Sequence, residues 1–152
     1  MVARDTEVLK REAEVVIYAF FEAGKNKELT AILGFHSPPE VFTKFDESPP
    51  YTRQNSEEAF IYEQAAFASI SDYQYKVDDL RIDLIGGAAV ATFYLSYKGV
   101  FVNDYSFDGR TVGSKSRVTM VLARFDGQWR IAHAHFSPFP AMGKGSDSAL
   151  TD

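Results

Sequence analysis

Residues 116–137 read SRVTMVLARF-DG-QWRIAHAHFS, two alternating segments around an Asp126-Gly127 pair, and this stretch decides the fold. Asp-Gly between alternating apolar segments is a strong short-range hairpin signal, because both residues tolerate the positive φ that a tight, strand-compatible turn demands. Ser116–Phe125 and Gln128–Ser137 are therefore expected to pair antiparallel. Pro138 and Pro140 end the second strand, since proline cannot donate to a ladder.

Upstream the same alternation continues. Gly86-Gly87 marks a further hairpin, Ala88–Val102 reads as a long strand, and Asp108-Gly109 as another turn. Between Tyr73 and Leu84 the apolar positions change phase near Asp78-Asp79, which predicts a bulge or bend. Before Asp72 the period is helical. Leu9, Ala13, Val16 and Phe20 form one face of a helix over Thr6–Ala23, with Gly24 as its stop. Asn26 is then a candidate N-cap for a second helix through Leu33 that would bury Leu29, Ile32 and Leu33. Asn55 and Glu58 have capping-box spacing, ahead of a third helix whose apolar face would carry Phe60, Ile61, Ala65, Phe67 and Ala68. Pro38-Pro39 and Pro49-Pro50 make the intervening segment a loop with at most one short strand.

Helices first and long hairpin-linked strands afterwards predict an α+β fold, three N-terminal helices packed on a strongly curved antiparallel sheet enclosing a pocket. Residues 1–142 are expected to form one domain, with 143–152 a disordered polar tail. At 152 residues, 45% of them hydrophobic and 14% aromatic, the chain can fill one core. The net charge of −5 opposes the basic footprint that phosphates require, so nucleic acid is not an expected partner. There is no cysteine, which removes disulfides, thiolate metal sites and a thiol nucleophile and fits a reducing compartment. The longest apolar run near the N-terminus, Val15–Phe21, is too short to span a bilayer. A cytoplasmic protein without membrane partner or cofactor is the expectation.

Arg117-Val118-Thr119 and the run from Asp126 through Trp129, Ile131, His133 and His135 to Ser137 carry a resemblance. They are similar to the closing strand pair of the nuclear transport factor 2-like superfamily, in particular its SnoaL-like branch and the association domain of calcium/calmodulin-dependent protein kinase II. The resemblance implies a cone-shaped α+β domain, commonly dimeric across its sheet. It implies no single function, because the superfamily holds ketosteroid isomerase, polyketide cyclases, dehydratases, hydrolases and non-catalytic adaptors. Where the kinase association domain has pocket arginines, this chain places Tyr94, Met120 and Phe136, so a more apolar, aromatic pocket is implied.

Tyr94, Arg117, Met120, His133, His135 and Phe136 are thus the expected ligand-binding residues. By strand parity His133 and His135 share a face with Trp129, Ile131 and Ser137. They read chiefly as hydrogen-bonding residues of the sheet or a dimer interface, because a metal needs a third ligand and Phe139 stands where an acid would be wanted. Arg117 either contacts a ligand or is pinned by a carboxylate such as Asp46 or Glu63. For proton-transfer chemistry the acids weighed are Asp46, Glu63 and Asp104, with Tyr18, Tyr62, Tyr94 and Tyr97 as hydroxyl donors; Tyr94 and Tyr97 fall on opposite faces.

Three functions stay open at this point: a dimeric small-molecule-binding domain, an isomerase-like, cyclase-like or dehydratase-like enzyme acting on a hydrophobic carbonyl compound, and an oligomerisation module. A buried acid with a raised pKa and a hydroxyl in reach would favour the enzyme. Apolar residues on both sheet faces predict a homodimer through the outer face.

Overall fold

The computed structural model describes residues 3–102 and 109–140. Helix α1 (Ala3–Lys25) is followed by a 3-10 helix (Leu29–Phe35), a short strand β1 (Thr43–Phe45) and helix α2 (Ser56–Ser69). Four long strands complete the chain: β2 (Ile70–Ile85), β3 (Ala88–Val102), β4 (Gly109–Phe125) and β5 (Gln128–Pro138). The sheet order is β1-β5-β4-β3-β2. The four long strands are antiparallel neighbours, whereas β1 runs parallel to β5, which makes the sheet mixed rather than wholly antiparallel.

α1 buries Ala13, Ile17, Phe20 and Phe21 against the sheet, while Glu12 and Glu22 stay in solvent, the division its periodicity dictates. α1 runs through Gly24 to Lys25. Gly24 instead allows close contact, since a Cβ there would collide with the Phe67 ring of α2. The second helix is a 3-10 segment with no side-chain cap; Ile32 is buried, but Leu33 is exposed. A 3-10 helix stacks side chains every third residue, so only Leu29, Ile32 and Phe35 turn inward.

α2 has the full capping box, with Asn55 Oδ1 accepting from the Glu58 backbone N–H and Glu58 Oε1 from that of Asn55. Its buried face differs from the expected one. Ser56, Ala59, Glu63 and Phe67 point inward, whereas Ile61, Ala65 and Ala68 are exposed. Lys27 finishes this helix by donating from Nζ to the carbonyls of Phe67 and Ile70.

Three bulges curve the sheet toward the helices. In β2, Asp72 and Asp79 adopt positive φ at the two register shifts, so Tyr73, Tyr75 and Val77 and then Leu80, Ile82 and Leu84 all face the core. In β5 the pairing steps from Leu122↔Ile131 to Val121↔His133, leaving Ala132 extra. That bulge corrects the simple parity reading: Trp129 and Ile131 are buried on the helix side together with Ala134 and Phe136, whereas His133, His135 and Ser137 face the other way. The Asp126-Gly127 turn forms as expected, both residues at positive φ. The expected Asp108-Gly109 turn and the tail 143–152 lie outside the described residues, apart from Gly109, which opens β4.

Candidate functional site

A cleft of about 140 Å³ opens between α1, α2, the loop after β1 and the concave face of the sheet. Phe20, Phe67, Tyr73, Leu95 and Phe136 supply its apolar wall. Its polar side holds Lys44, Asp46, Glu47, Glu63 and Tyr97.

Strand parity accounts for the charged residues. β1 pairs Lys44 with Ala134, an inward position of β5, so the Lys44 side chain is driven under α2 although β1 is only three residues long. There its ammonium donates to Glu63 Oε2 at 2.9 Å, approaches Asp46 Oδ2 at 3.9 Å and lies 4.8 Å over the Phe136 ring. The other Glu63 oxygen lies 2.7 Å from His36 Nε2, and His36 Nδ1 lies 2.9 Å from Ser56 Oγ. A carboxylate only accepts, so Nε2 carries a proton. Lys44, Glu63 and His36 retain 4%, 7% and 4% of their exposure. Burial alone would raise the Glu63 pKa, but the Lys44 charge and the hydrogen bond from His36 outweigh it and the net shift is downward.

Glu47, in the same cleft, is held differently. Its Oε1 accepts from Ser116 Oγ at 2.6 Å, while Oε2 is buried with no hydrogen-bond partner. Burial raises its pKa, aided by neighbouring Asp46 and opposed by the Ser116 hydrogen bond and Lys44. Tyr97 is also shifted upward, by burial first and then by Glu47 and Asp46, so its hydroxyl keeps its proton and remains a donor. One carboxyl thus stays ionised as the counter-ion of Lys44, while its neighbour is biased toward holding a proton. Paired acids in opposed settings are a physical signature of acid-base chemistry.

The residues expected at the site fall on two faces of the sheet. Phe136 lines the cleft, and Met120 is fully buried beneath it in the core. Tyr94, Arg117 and His135 border an open groove of about 540 Å³ on the opposite face. His133 shares that face, its Nδ1 lying 2.8 Å from Thr43 Oγ1, and His135 beside it is exposed. Arg117 is not pinned by Asp46 or Glu63: it is exposed and donates to Ser137 Oγ at 3.1 Å, while Lys44 engages both acids. Of the acids weighed, Asp46 and Glu63 reach the cleft, and Asp104 lies outside the described residues. Of the hydroxyls, Tyr97 and Tyr62 line it. Among the described residues no group of three or more His, Cys, Asp or Glu could hold a metal ion. Glu47, Lys44 and Ser116 escaped sequence reasoning. Only the inward parity of Ser116, shared with Met120, was available as a signal.

Over residues 14–142 the chain matches the family described as the SnoaL-like domain. No curated protein matches it. Among solved structures, a nuclear transport factor 2-like superfamily protein from Salmonella enterica serovar Typhimurium is 21% identical, covers 92% of this chain and 97% of its own, and superposes with a TM-score of 0.77. A provisionally named scytalone dehydratase from Novosphingobium aromaticivorans is 8% identical over 91% of this chain and 89% of its own, with a TM-score of 0.79. The association domain of C. elegans calcium/calmodulin-dependent protein kinase II is 15% identical over 86% and 96%, with a TM-score of 0.67. At such identities the likeness is one of fold.

Proposed function

The chain belongs to the SnoaL-like domain family, and from that premise we propose that its helix-side cleft binds a small apolar carbonyl compound and transfers a proton on it, with Glu47 as the acid-base residue. The observation that carries this reading is the Glu47 carboxyl itself, one oxygen fixed by Ser116 and the other buried and unpartnered beside Tyr97 and Lys44. An acid whose pKa is raised from the carboxylate range is a stronger base when ionised, which suits removal of a proton from a carbon next to a carbonyl. The electron pair left on that carbon moves onto the carbonyl oxygen. The Tyr97 hydroxyl and the Lys44 ammonium are the groups that would face this charge. Return of the proton to another carbon completes an isomerisation; loss of a β-hydroxyl as water completes a dehydration.

Solvent-deuterium exchange at the α-carbon of a cyclic ketone, followed by NMR, tests the reading. Glu47→Gln should slow the catalysed exchange by about a hundredfold or more. Equal exchange by both proteins would sink it.

A binding role without turnover is the second reading. It is favoured by the saturation of Lys44, whose ammonium already serves Glu63 and leaves Tyr97 as the principal donor. On the outer face, the groove flanked by Tyr94, Arg117 and His135 supports a homodimer through the sheet, in keeping with a relative named as an association domain. Light scattering tests this: Arg117→Glu with His135→Glu should shift a dimer to monomer, and an unchanged mass would count against that surface. The cysteine-free, acidic sequence supports a cytosolic setting without nucleic-acid partners.

A further inference from the structure

Resting on that reading of the cleft, we infer that its ligand is a neutral molecule no larger than about one six-membered ring, and that Phe67 sets the limit. Drug-sized ligands occupy pockets of roughly 300–1,000 Å³, well above the 140 Å³ available here. A cavity of about 150 Å³ lined by aliphatic and aromatic side chains accepts benzene, so one ring is what this volume admits. Tetracyclic and fused polycyclic compounds fit only with movement of the wall or with their further rings left in solvent.

That wall is fixed. The Phe67 ring stands edge-on to Phe20 at 6.0 Å and to Tyr73 at 5.3 Å. Behind it the chain of α1 approaches so closely that only glycine is accommodated at position 24. Phe20 is itself braced edge-on by Phe21 at 5.2 Å and Phe35 at 5.9 Å. A close-packed aromatic cluster of this kind does not swing aside for a larger guest at low cost.

Charge sets the second restriction. Asp46, Glu47 and Glu63 face the cleft against one cation, Lys44, which Glu63 already engages. A carboxylate, phosphate or sulfate on the ligand would meet a surplus of like charge in a partly desolvated space. A neutral ligand meets the apolar wall and the Tyr97 hydroxyl without that repulsion.

Titration calorimetry with cyclohexenone, a cyclohexenone carboxylate, a two-ring tetralone and a four-ring steroid enone tests both restrictions on the wild-type protein. Cyclohexenone should bind, and the other three should bind about tenfold more weakly or worse. Phe67→Ala should reverse the order for tetralone, and Phe67→Leu, which removes less of the core, should do so in part. Equal or tighter wild-type binding of the steroid, the tetralone or the carboxylate overturns the inference, yet leaves Glu47-dependent exchange intact. An unchanged size ranking in a folded Phe67→Leu protein removes Phe67 from its role. Failure of every compound to bind overturns both the inference and the reading on which it rests.

Discussion

Glu47 and Glu63 face one cleft from opposite electrostatic settings: Glu63 is bonded by Lys44 at 2.9 Å and His36 at 2.7 Å, whereas Glu47 has Ser116 at 2.6 Å on one oxygen and no partner on the other. The difference arises from what each element places opposite the acid. β1 delivers a cation to Glu63, and β4 delivers only a hydroxyl to Glu47.

Glu47→Gln should therefore not weaken the fold at neutral pH. The Glu47 pKa is raised in the folded state, so its stabilising contribution is fully present below the ordinary value of 4.5 and lost as pH rises through the folded value. The neutral amide removes that loss. We expect a melting temperature at pH 7 equal to or above that of the wild type, with the difference shrinking below pH 4.5. Catalysed proton exchange in the wild type should rise with pH through an apparent pKa above 4.5. A large drop in melting temperature would mean that the carboxylate is a structural group.

Lys44→Met should be severely destabilising. It leaves the Glu63 charge buried with only His36, a change that costs about 3–5 kcal/mol. Adding Glu63→Gln, which keeps a hydrogen bond to His36, should recover most of the loss in urea denaturation. In the wild type the depressed Glu63 pKa contributes stability present above 4.5 and lost as pH falls through the folded value. The single mutant should lose this acid limb. A double mutant no more stable than Lys44→Met would show that Lys44 acts through its packing on Phe136 instead.

The histidines of β5 should separate under mutation. His133 has a pKa lowered by burial and by His135, against the opposing hydrogen bond to Thr43. Its contribution is fully present above 6.5 and lost as pH falls below that value through the folded one. His133→Ala should flatten the fall in melting temperature below pH 6.5. His135→Ala, at an exposed position, should leave the monomer's melting curve nearly unchanged. Equal effects of both substitutions would point to a shared interface.

Gly24→Ala weighs two opposing effects. Alanine is a better helix former than glycine by about 1 kcal/mol. Its Cβ, however, would strike the Phe67 ring, and overpacking of a close-packed core typically costs about 1–3 kcal/mol. The clash should win. A stabilised Gly24→Ala protein would show that the Phe67 wall is soft, and would weaken the size limit placed on the ligand.

The capping box at Asn55 and Glu58, the phase switch at Asp79, the Asp126-Gly127 hairpin and the buried stripe of α1 were all legible along the chain. Each depends on neighbours within a few residues, through backbone geometry or a repeat of fixed period. The buried face of α2 was not legible. Periodicity puts Ile61, Ala65 and Ala68 on the buried face, whereas the structure exposes them and buries Glu63, because Lys44 and His36 meet its carboxylate there.

The helices-then-hairpins order, and hence an α+β fold, can be read along the chain because local hydrogen bonding and hydrophobic period carry that information. Which side of β5 each residue takes is a property of the folded sheet, since the one-residue bulge at Ala132 moves His133 and His135 away from the cleft and turns Phe136 toward it. The tertiary structure also brings Lys44, Glu47, Glu63 and Tyr97 together from three separate segments, β1 with the loop that follows it, α2 and β3. The interactions among them depend on distances across the fold and fall off with separation in space, whatever the separation along the chain.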